Sequence, residues 1–216
     1  MKYLSDEEAK CAIIDIGRKM YNRGLVSASD GNISIKVSDD EIWTTPSGVS
    51  KGFMTEDILV KTNLSGSVLC GQNPSSELKM HLQIYSQNLE IRAVVHAHPP
   101  ASTALAAAGI ALDRVFSQEM VLNLGTIPVA EYALPGSDTL AANAAKYCRE
   151  YNGVLFEYHG AVSWGADITQ AYFRMESIEQ NAKIMMYMRT LGIDRPMSDE
   201  QINELIALRT EREASG

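Results

Sequence analysis

Cysteine is scarce in this chain and scattered where it occurs. Cys11, Cys70 and Cys148 are odd in number, far apart, and form no CxxC pair. A disulfide framework is therefore not expected, and reduced thiols are. Long apolar runs are also missing, so nothing in the sequence reads as a membrane span. Positive charge is in deficit, with 19 Lys and Arg against 27 Asp and Glu and a net charge of −8 at pH 7. That balance counts against binding nucleic acid or an acidic membrane through a basic face. An anionic ligand would need a local nest of donors, because the global field repels it. No repeat, low-complexity tract or Pro/Gly/Ser linker interrupts the 216 residues, and they read as one domain over 1–216. The opening MKYLSDEEAK carries acids where a signal peptide needs a basic start and an apolar core, so a cytoplasmic protein is expected.

What is present is a regular alternation of strand pairs and helices. Ser5 followed by DEEAKCAIIDIGRKMYNRG predicts a capped first helix ending at Gly24. ISIKV and EIWTT predict two short strands around the polar SDDE turn, and EDILV with SVLC another pair. PSSELKMHLQIYSQN predicts a second helix, IRAVVHAH a buried strand, and PASTALAAAG a helix of small residues. TIPVAEYALPGS reads as strand-like, DTLAANAAKYCREYN as a helix, and GVLFEYHGAVSWG as a hairpin around His159 and Gly160. A long helix capped by Asp167 and a final helix from SDEQINELIALR close the chain. Hairpins separated by helices predict an α/β protein with a mixed, largely antiparallel sheet and helices on its faces.

Only four histidines occur, and two stand one residue apart in RAVVHAHPPAS. Alternate residues on a strand share a face, so His96 and His98 project together and could offer two imidazoles to one metal. One packed and one solvated histidine is the ordinary alternative. His159 shifts the balance, since it sits at another strand end with a glycine after it. Three histidines in two such settings fit a catalytic metal site, which uses three protein ligands and an open position. His81, one turn after Glu77, reads as a packed residue under its helix.

Glu77 follows Ser75 and Ser76 at the expected start of the second helix. A cap with a first-turn acid would account for the trio. Free amides and two hydroxyls at a helix start also suit a phosphate, with Glu77 beside it as a base. SDGNIS with Gly31 and Asn32, and TTPSG with Ser47 and Gly48, are two further small-residue turns able to present donors to an anion.

GNIS, TPSG, PSSE…H, VVHAHP, IPVAEYALPGS and YHGAVSWG occur in an order and spacing that resembles the class II aldolase/adducin head family across essentially the whole chain. The branch most similar is that of the L-fuculose-1-phosphate aldolases. The resemblance implies a three-layer α/β/α fold around a mostly antiparallel sheet, and a fourfold homotetramer with active sites at subunit interfaces. It implies Zn2+, or another divalent ion, on His96, His98 and His159. Glu77 would be the catalytic acid/base and would touch the metal in some states. Gly31, Asn32, Ser47, Gly48, Ser75 and Ser76 would hold a substrate phosphate. The implied reaction is reversible cleavage of a ketose 1-phosphate to dihydroxyacetone phosphate and a small aldehyde, through an enediolate stabilised by the metal.

Two departures bear on the aldehyde. Ser117, with Glu119 nearby, stands where the family places a tyrosine that protonates the aldehyde oxygen, and the C-terminal tail has no tyrosine. The same metal site serves family epimerases, dehydratases such as those of methylthioribulose 1-phosphate, and decarboxylases of sugar-acid phosphates. The adducin head is a non-catalytic interaction module, but such a module has no use for three His ligands and a Glu. Three phosphate-suited loops argue against a zinc hydrolase.

Overall fold

A computed structural model describes residues 2–215. Helix α1 (Asp6–Asn22) opens with a reciprocal capping box, in which Ser5 Oγ accepts from the Glu8 amide and the Glu8 carboxylate accepts from the Ser5 amide. It is followed by β1 (Asn32–Lys36), β2 (Glu41–Thr44), β3 (Val60–Asn63) and β4 (Val68–Cys70). Next come α2 (Leu78–Gln87), β5 (Ala93–Ala97), α3 (Pro100–Ala107), the two-residue strand β6 (Val129–Ala130) and α4 (Asp138–Ala145). The chain closes with β7 (Gly153–Phe156), β8 (Gly160–Gly165), α5 (Ile168–Thr190) and α6 (Asp199–Ser215).

The eight strands form one sheet in the order β4-β3-β2-β1-β5-β8-β7-β6, with only β6 and β7 parallel. Strand alternation assigns the two faces. Ile33, Ile35, Ala93 and Val95 pack with α1, α3 and α5, while Val94, Val154, Phe156 and Val162 pack with α2 and α4. Two apolar layers on opposite faces make the three-layer α/β/α sandwich expected from the sequence.

Several elements differ from their sequence reading. EDILV is a 3₁₀ turn at Glu56–Ile58, and the strand begins only at Val60, where the alternating buried side chains begin. TIPVAEYALPGS pairs over just Val129–Ala130, because Pro128 and Pro135 limit the ladder. Helix α4 ends at Ala145, well before YCREYN, and Met120–Leu124 forms a π-helical turn that no periodicity announced. Helix α2 starts one residue after Glu77. That residue occupies the N-cap position without capping, and its side chain points elsewhere.

Candidate active site

Strand β5 runs through the middle of the sheet, and its C-terminal end delivers two imidazoles. His96 shares the face of Val94, toward α2, and is fully buried. His98 follows just beyond the strand, and its Nε2 lies 3.0 Å from His96 Nε2. The chain is pinned immediately afterwards. Pro99 and Pro100 open α3, and the buried Glu179 of α5 accepts from the amides of Ala101 and Ser102 and from Ser102 Oγ. This buried carboxylate satisfies orphan donors at the helix start and so fixes the exit of β5.

His159 comes from the β7–β8 turn, where Phe156 pairs with Gly160 and Tyr158 holds a positive φ of 58°. For a bulky residue that conformation is strained, a feature that clusters at functional sites. Gly160 lies so close to β5 that a Cβ would sit 2.4 Å from Ala97 O and 2.7 Å from His98 Cδ2. The room beside His159 is thus filled by β5 rather than kept for a ligand. The His96, His98 and His159 rings are mutually 4.8–4.9 Å apart, and one ligand atom from each falls within 4.8 Å of the others.

Glu77 completes the group. Its Oε2 is 3.0 Å from His96 Nε2 and its Oε1 is 3.2 Å from His159 Nε2. The sequence reading placed this acid inside the first helical turn. Instead Ser75 accepts from the Glu77 amide through Oγ and from the Leu78 amide through its carbonyl, a turn that precedes the helix and aims the carboxylate at the histidines.

The donor set fits a divalent cation. His96 Nδ1–H donates to Ala161 O at 2.9 Å, so its Nε2 presents a lone pair to the centre. His98 Nε2 faces that lone pair, while Glu77 Oε1 is buried without a hydrogen-bond partner, with His159 Nε2 3.2 Å away. Uncommitted lone pairs aimed at one point are what a cation with ~2.0–2.1 Å bonds to imidazole would satisfy. Behind His98, the Asp30 carboxylate lies 3.6 Å from Nδ1 and accepts from Ser27 Oγ.

Electrostatics agree with this picture. Burial alone would raise the Glu77 carboxyl, but His96, His159 and the Asn32 amide outweigh it and hold the group well below the usual carboxylate range. Burial and the neighbouring His96 push His98 and His159 down to about 4, so both are neutral at pH 7. For His96, burial would lower the pKa, but Glu77 and Ala161 raise it. Metal ligation needs deprotonated imidazoles; His98 and His159 are already neutral, and His96 would give up its proton to ligate.

The three small-residue loops lie around this centre. Asn32 pairs with His96 across β1 and β5, and its Nδ2 donates to Glu77 Oε2 at 2.9 Å. Gly31 has φ +74°, and a Cβ there would strike His96 O at 2.7 Å, which requires glycine. The other two loops are tied together by a Pro46–Pro74 bridge, with the Ser47 amide donating to Asn73 O and the Ser75 amide to Thr45 O. Those two amides are consequently spent. What the loops still offer an anion is the hydroxyls of Ser47 and Ser76 and, among the described residues, the amides of Gly48 and Ser76, which make no backbone hydrogen bond.

Lys51 escaped the sequence reading. It is almost completely buried, and its Nζ donates to the carbonyls of Ser29 and Val49, bracing the loop before Gly31 against the loop after Gly48. Burial pushes its ammonium down to about 8. A buried lysine has no periodic signature, and only the fold reveals it. Ser117 lies elsewhere. It donates to Asn181 Oδ1 at 2.8 Å and lines a cavity with Glu119, Arg23 and Arg174, apart from the histidines.

Such a centre, at the end of a central strand of an α/β/α sandwich, is a set of side chains able to hold a metal ion. The chain belongs to the class II aldolase/adducin family, matching the Class II Aldolase and Adducin N-terminal domain over residues 11–186. It is 32% identical over 206 residues to a 3-oxo-tetronate 4-phosphate decarboxylase of Pectobacterium atrosepticum, covering 93% of this chain and 94% of that protein. It is 38% identical over 179 residues to an L-fuculose phosphate aldolase of Methanococcus maripaludis, covering 82% and 96%. A solved L-fuculose 1-phosphate aldolase superposes with a TM-score of 0.86 at 30% identity, over 95% of this chain and 97% of that one. Among the described residues, no helix is long and apolar enough to cross a membrane.

Proposed function

We propose that this chain is a metal-dependent carbon–carbon lyase acting on a phosphorylated keto-sugar or keto-sugar acid, with dihydroxyacetone phosphate as the shared product. The observation that carries the proposal is the cluster of His96, His98 and His159 around one point, with the buried Glu77 carboxylate against the Nε2 atoms of His96 and His159 and the His98 Nε2 against that of His96. We assign His96, His98 and His159, with Glu77 in some states, as ligands of Zn2+, although such a set also accepts other divalent ions. When bound, the ion would supply Lewis-acid stabilisation of negative charge on substrate oxygens. In this reading the phosphate lies against the loops of Gly31, Asn32, Ser47, Gly48, Ser75 and Ser76, which Lys51 braces, and the uncommitted donors that hold it come from Ser47, Gly48 and Ser76. Glu77, ionised and within the centre, carries a proton to and from the carbon beside the carbonyl.

Two leaving groups fit the same half-reaction. Loss of CO2 from 3-oxo-tetronate 4-phosphate and loss of an aldehyde from a ketose 1-phosphate both leave the bonding pair delocalised over the carbonyl. Protonation of that enediolate gives dihydroxyacetone phosphate in each case. An aldehyde can leave only if its hydroxyl proton is managed, whereas CO2 needs no such group. Ser117 stands where the family resemblance expects the aldehyde-side tyrosine, yet it is turned to Asn181. This favours decarboxylation. Retro-aldol cleavage is the second reading, supported by the 38% identity to an L-fuculose phosphate aldolase.

The family match over residues 11–186 supports reading the chain as one domain. A homotetramer belongs to the same proposal, supported by the exposed Phe173, Tyr187 and Leu191 of the α5 region. The test is product analysis. Metal-loaded protein is supplied separately with 3-oxo-tetronate 4-phosphate and L-fuculose 1-phosphate, and dihydroxyacetone phosphate is measured. Product from the first substrate supports decarboxylation, and product from the second alone supports the aldolase. Release from neither contradicts the lyase, because a dehydratase or epimerase leaves that carbon–carbon bond intact.

A further inference from the structure

Helix α2 and strand β1 face one another through a ladder of polar groups that the metal centre does not account for. Glu77, His81 and Tyr85 lie one helical turn apart, and Asn32 and Ser34 lie on one face of β1. Four residues of helix rise about 6 Å, and two residues of strand advance about 6.6 Å. The two spacings are commensurate, so the five side chains interleave. Asn32 Nδ2 is 2.9 Å from Glu77 Oε2, and Asn32 Oδ1 is 2.5 Å from His81 Nε2. Ser34 Oγ is 2.6 Å from His81 Nδ1 and 2.8 Å from the Tyr85 hydroxyl. All five residues are buried.

We propose that His81 is a positioning residue that, through Asn32, fixes the orientation of the Glu77 carboxylate within a one-way donor chain running Tyr85 to Ser34 to His81 to Asn32 to Glu77. The direction of every link follows from the last one. An ionised carboxylate only accepts, so Asn32 must turn its NH2 toward Glu77 and its carbonyl toward His81. That carbonyl needs a donor, which requires the proton on His81 Nε2. His81 Nδ1 is then a lone pair, Ser34 Oγ–H donates into it, and the Tyr85 hydroxyl is left to donate to Ser34, whose Oγ lies 2.8 Å and whose carbonyl oxygen 3.1 Å from it. Bonds aligned in one sense in a buried environment polarise one another. Flipping the Asn32 amide would set a carbonyl against a carboxylate and a lone pair against a lone pair. Glu77 is thus held by Oε2, and Oε1, without a hydrogen-bond donor, faces His159 and the centre.

The catalytic consequence rests on the lyase reading, whereas the chain itself does not, and the two are tested separately. Long-range 15N–1H correlation of the His81 ring in the metal-loaded full chain reads the tautomer directly. The proposal requires a neutral ring protonated at Nε2, and a proton on Nδ1 would overturn it whatever the enzyme does. The consequence is read by solvent-deuterium exchange at C3 of dihydroxyacetone phosphate. His81→Phe should slow the maximal rate by about 10–100-fold, as loss of an outer partner does at metal sites, with metal content unchanged and half-saturation little altered. His81→Gln, which keeps a donor near the Nε2 position, should restore most of the rate. Wild-type rate in His81→Phe, or no better rate in His81→Gln than in His81→Phe, refutes the positioning role. If His81→Phe does not fold, Ser34→Ala serves instead. It must lose the single-tautomer signature and part of the rate, and retention of both refutes the chain. Absence of exchange in the wild-type protein would count against the lyase, while the tautomer would still decide the chain.

Discussion

The histidine centre and the Ser117 cavity make an instructive pair. The cavity is roomy, about 1050 Å³, and its lining mixes polar and charged residues such as Glu119, Arg174 and Gln180 with apolar ones such as Leu122 and Phe173. Several of its polar groups are nonetheless committed elsewhere. Arg23 pairs with Glu176 at 2.9 Å, Arg174 donates to Trp164 O at 2.7 Å, and Ser117 donates to Asn181. The centre at the end of β5 is far tighter, and its groups are aimed inward without being used up. Three ring nitrogens and a carboxylate oxygen face one point, while their far sides are fixed by Ala161 and Asn32. Volume is the usual pointer to a site. Here the better pointer is preorganised, unspent polarity, the property that stabilises developing charge without reorganisation.

The sharpest way to break that contrast is Glu77→Gln. Removing the proton carrier should cut exchange at C3 of dihydroxyacetone phosphate by about 10²–10⁴-fold, with the fold intact by circular dichroism. A rate near wild type would strip the centre of its assigned chemistry. Acid supplies the second test. His98 and His159 stay neutral down to about 4, whereas His96 holds its proton more tightly than a free imidazole, so bound metal should be lost as pH falls with His96 the first ligand to protonate. Metal content that is the same at about pH 8 and about pH 3, measured by metal analysis after dialysis, would contradict ligation by these imidazoles.

Lys51→Met probes the brace between the phosphate loops. Charged hydrogen bonds to the Ser29 and Val49 carbonyls would be lost, which should destabilise the fold by about 1.5–3 kcal/mol. The thermal shift produced by inorganic phosphate should also shrink, and an undiminished shift would detach Lys51 from anion binding. The smallest effect belongs to the cavity. Ser117→Ala removes two hydrogen bonds, one to Asn181 and one from the Met120 amide, each worth about 1 kcal/mol, and should leave the exchange rate unchanged. A large loss of exchange would move Ser117 into the site and overturn the contrast.

Much of this was readable before any coordinates. The Ser5–Glu8 capping pattern, the β-branched run before His96 and the strand pair around His159 are local signals, and local signals survive folding. The three histidines and Glu77 stood out because few residue types ligate metals and the chain has few histidines. Other features were invisible for physical reasons. Glu77 was placed inside the first helical turn because nothing in PSSE shows that Ser75 closes a turn ahead of the helix. His81 was read as packed, and it is buried, but its hydrogen-bond partners lie on a strand 47 and 49 positions away. The match of a four-residue helical step to a two-residue strand step appears only once α2 lies against β1. Lys51 and Glu179 are buried charges with backbone partners, which no pattern of polar and apolar residues encodes.

The most direct test of the central account is exchange of the C3 protons of dihydroxyacetone phosphate in D2O, followed by NMR with no aldehyde or CO2 present. The account predicts exchange by the metal-loaded protein that disappears on chelation, returns when Zn2+ is restored, and is abolished in His96→Ala. A folded, metal-loaded protein that leaves those protons untouched would contradict it.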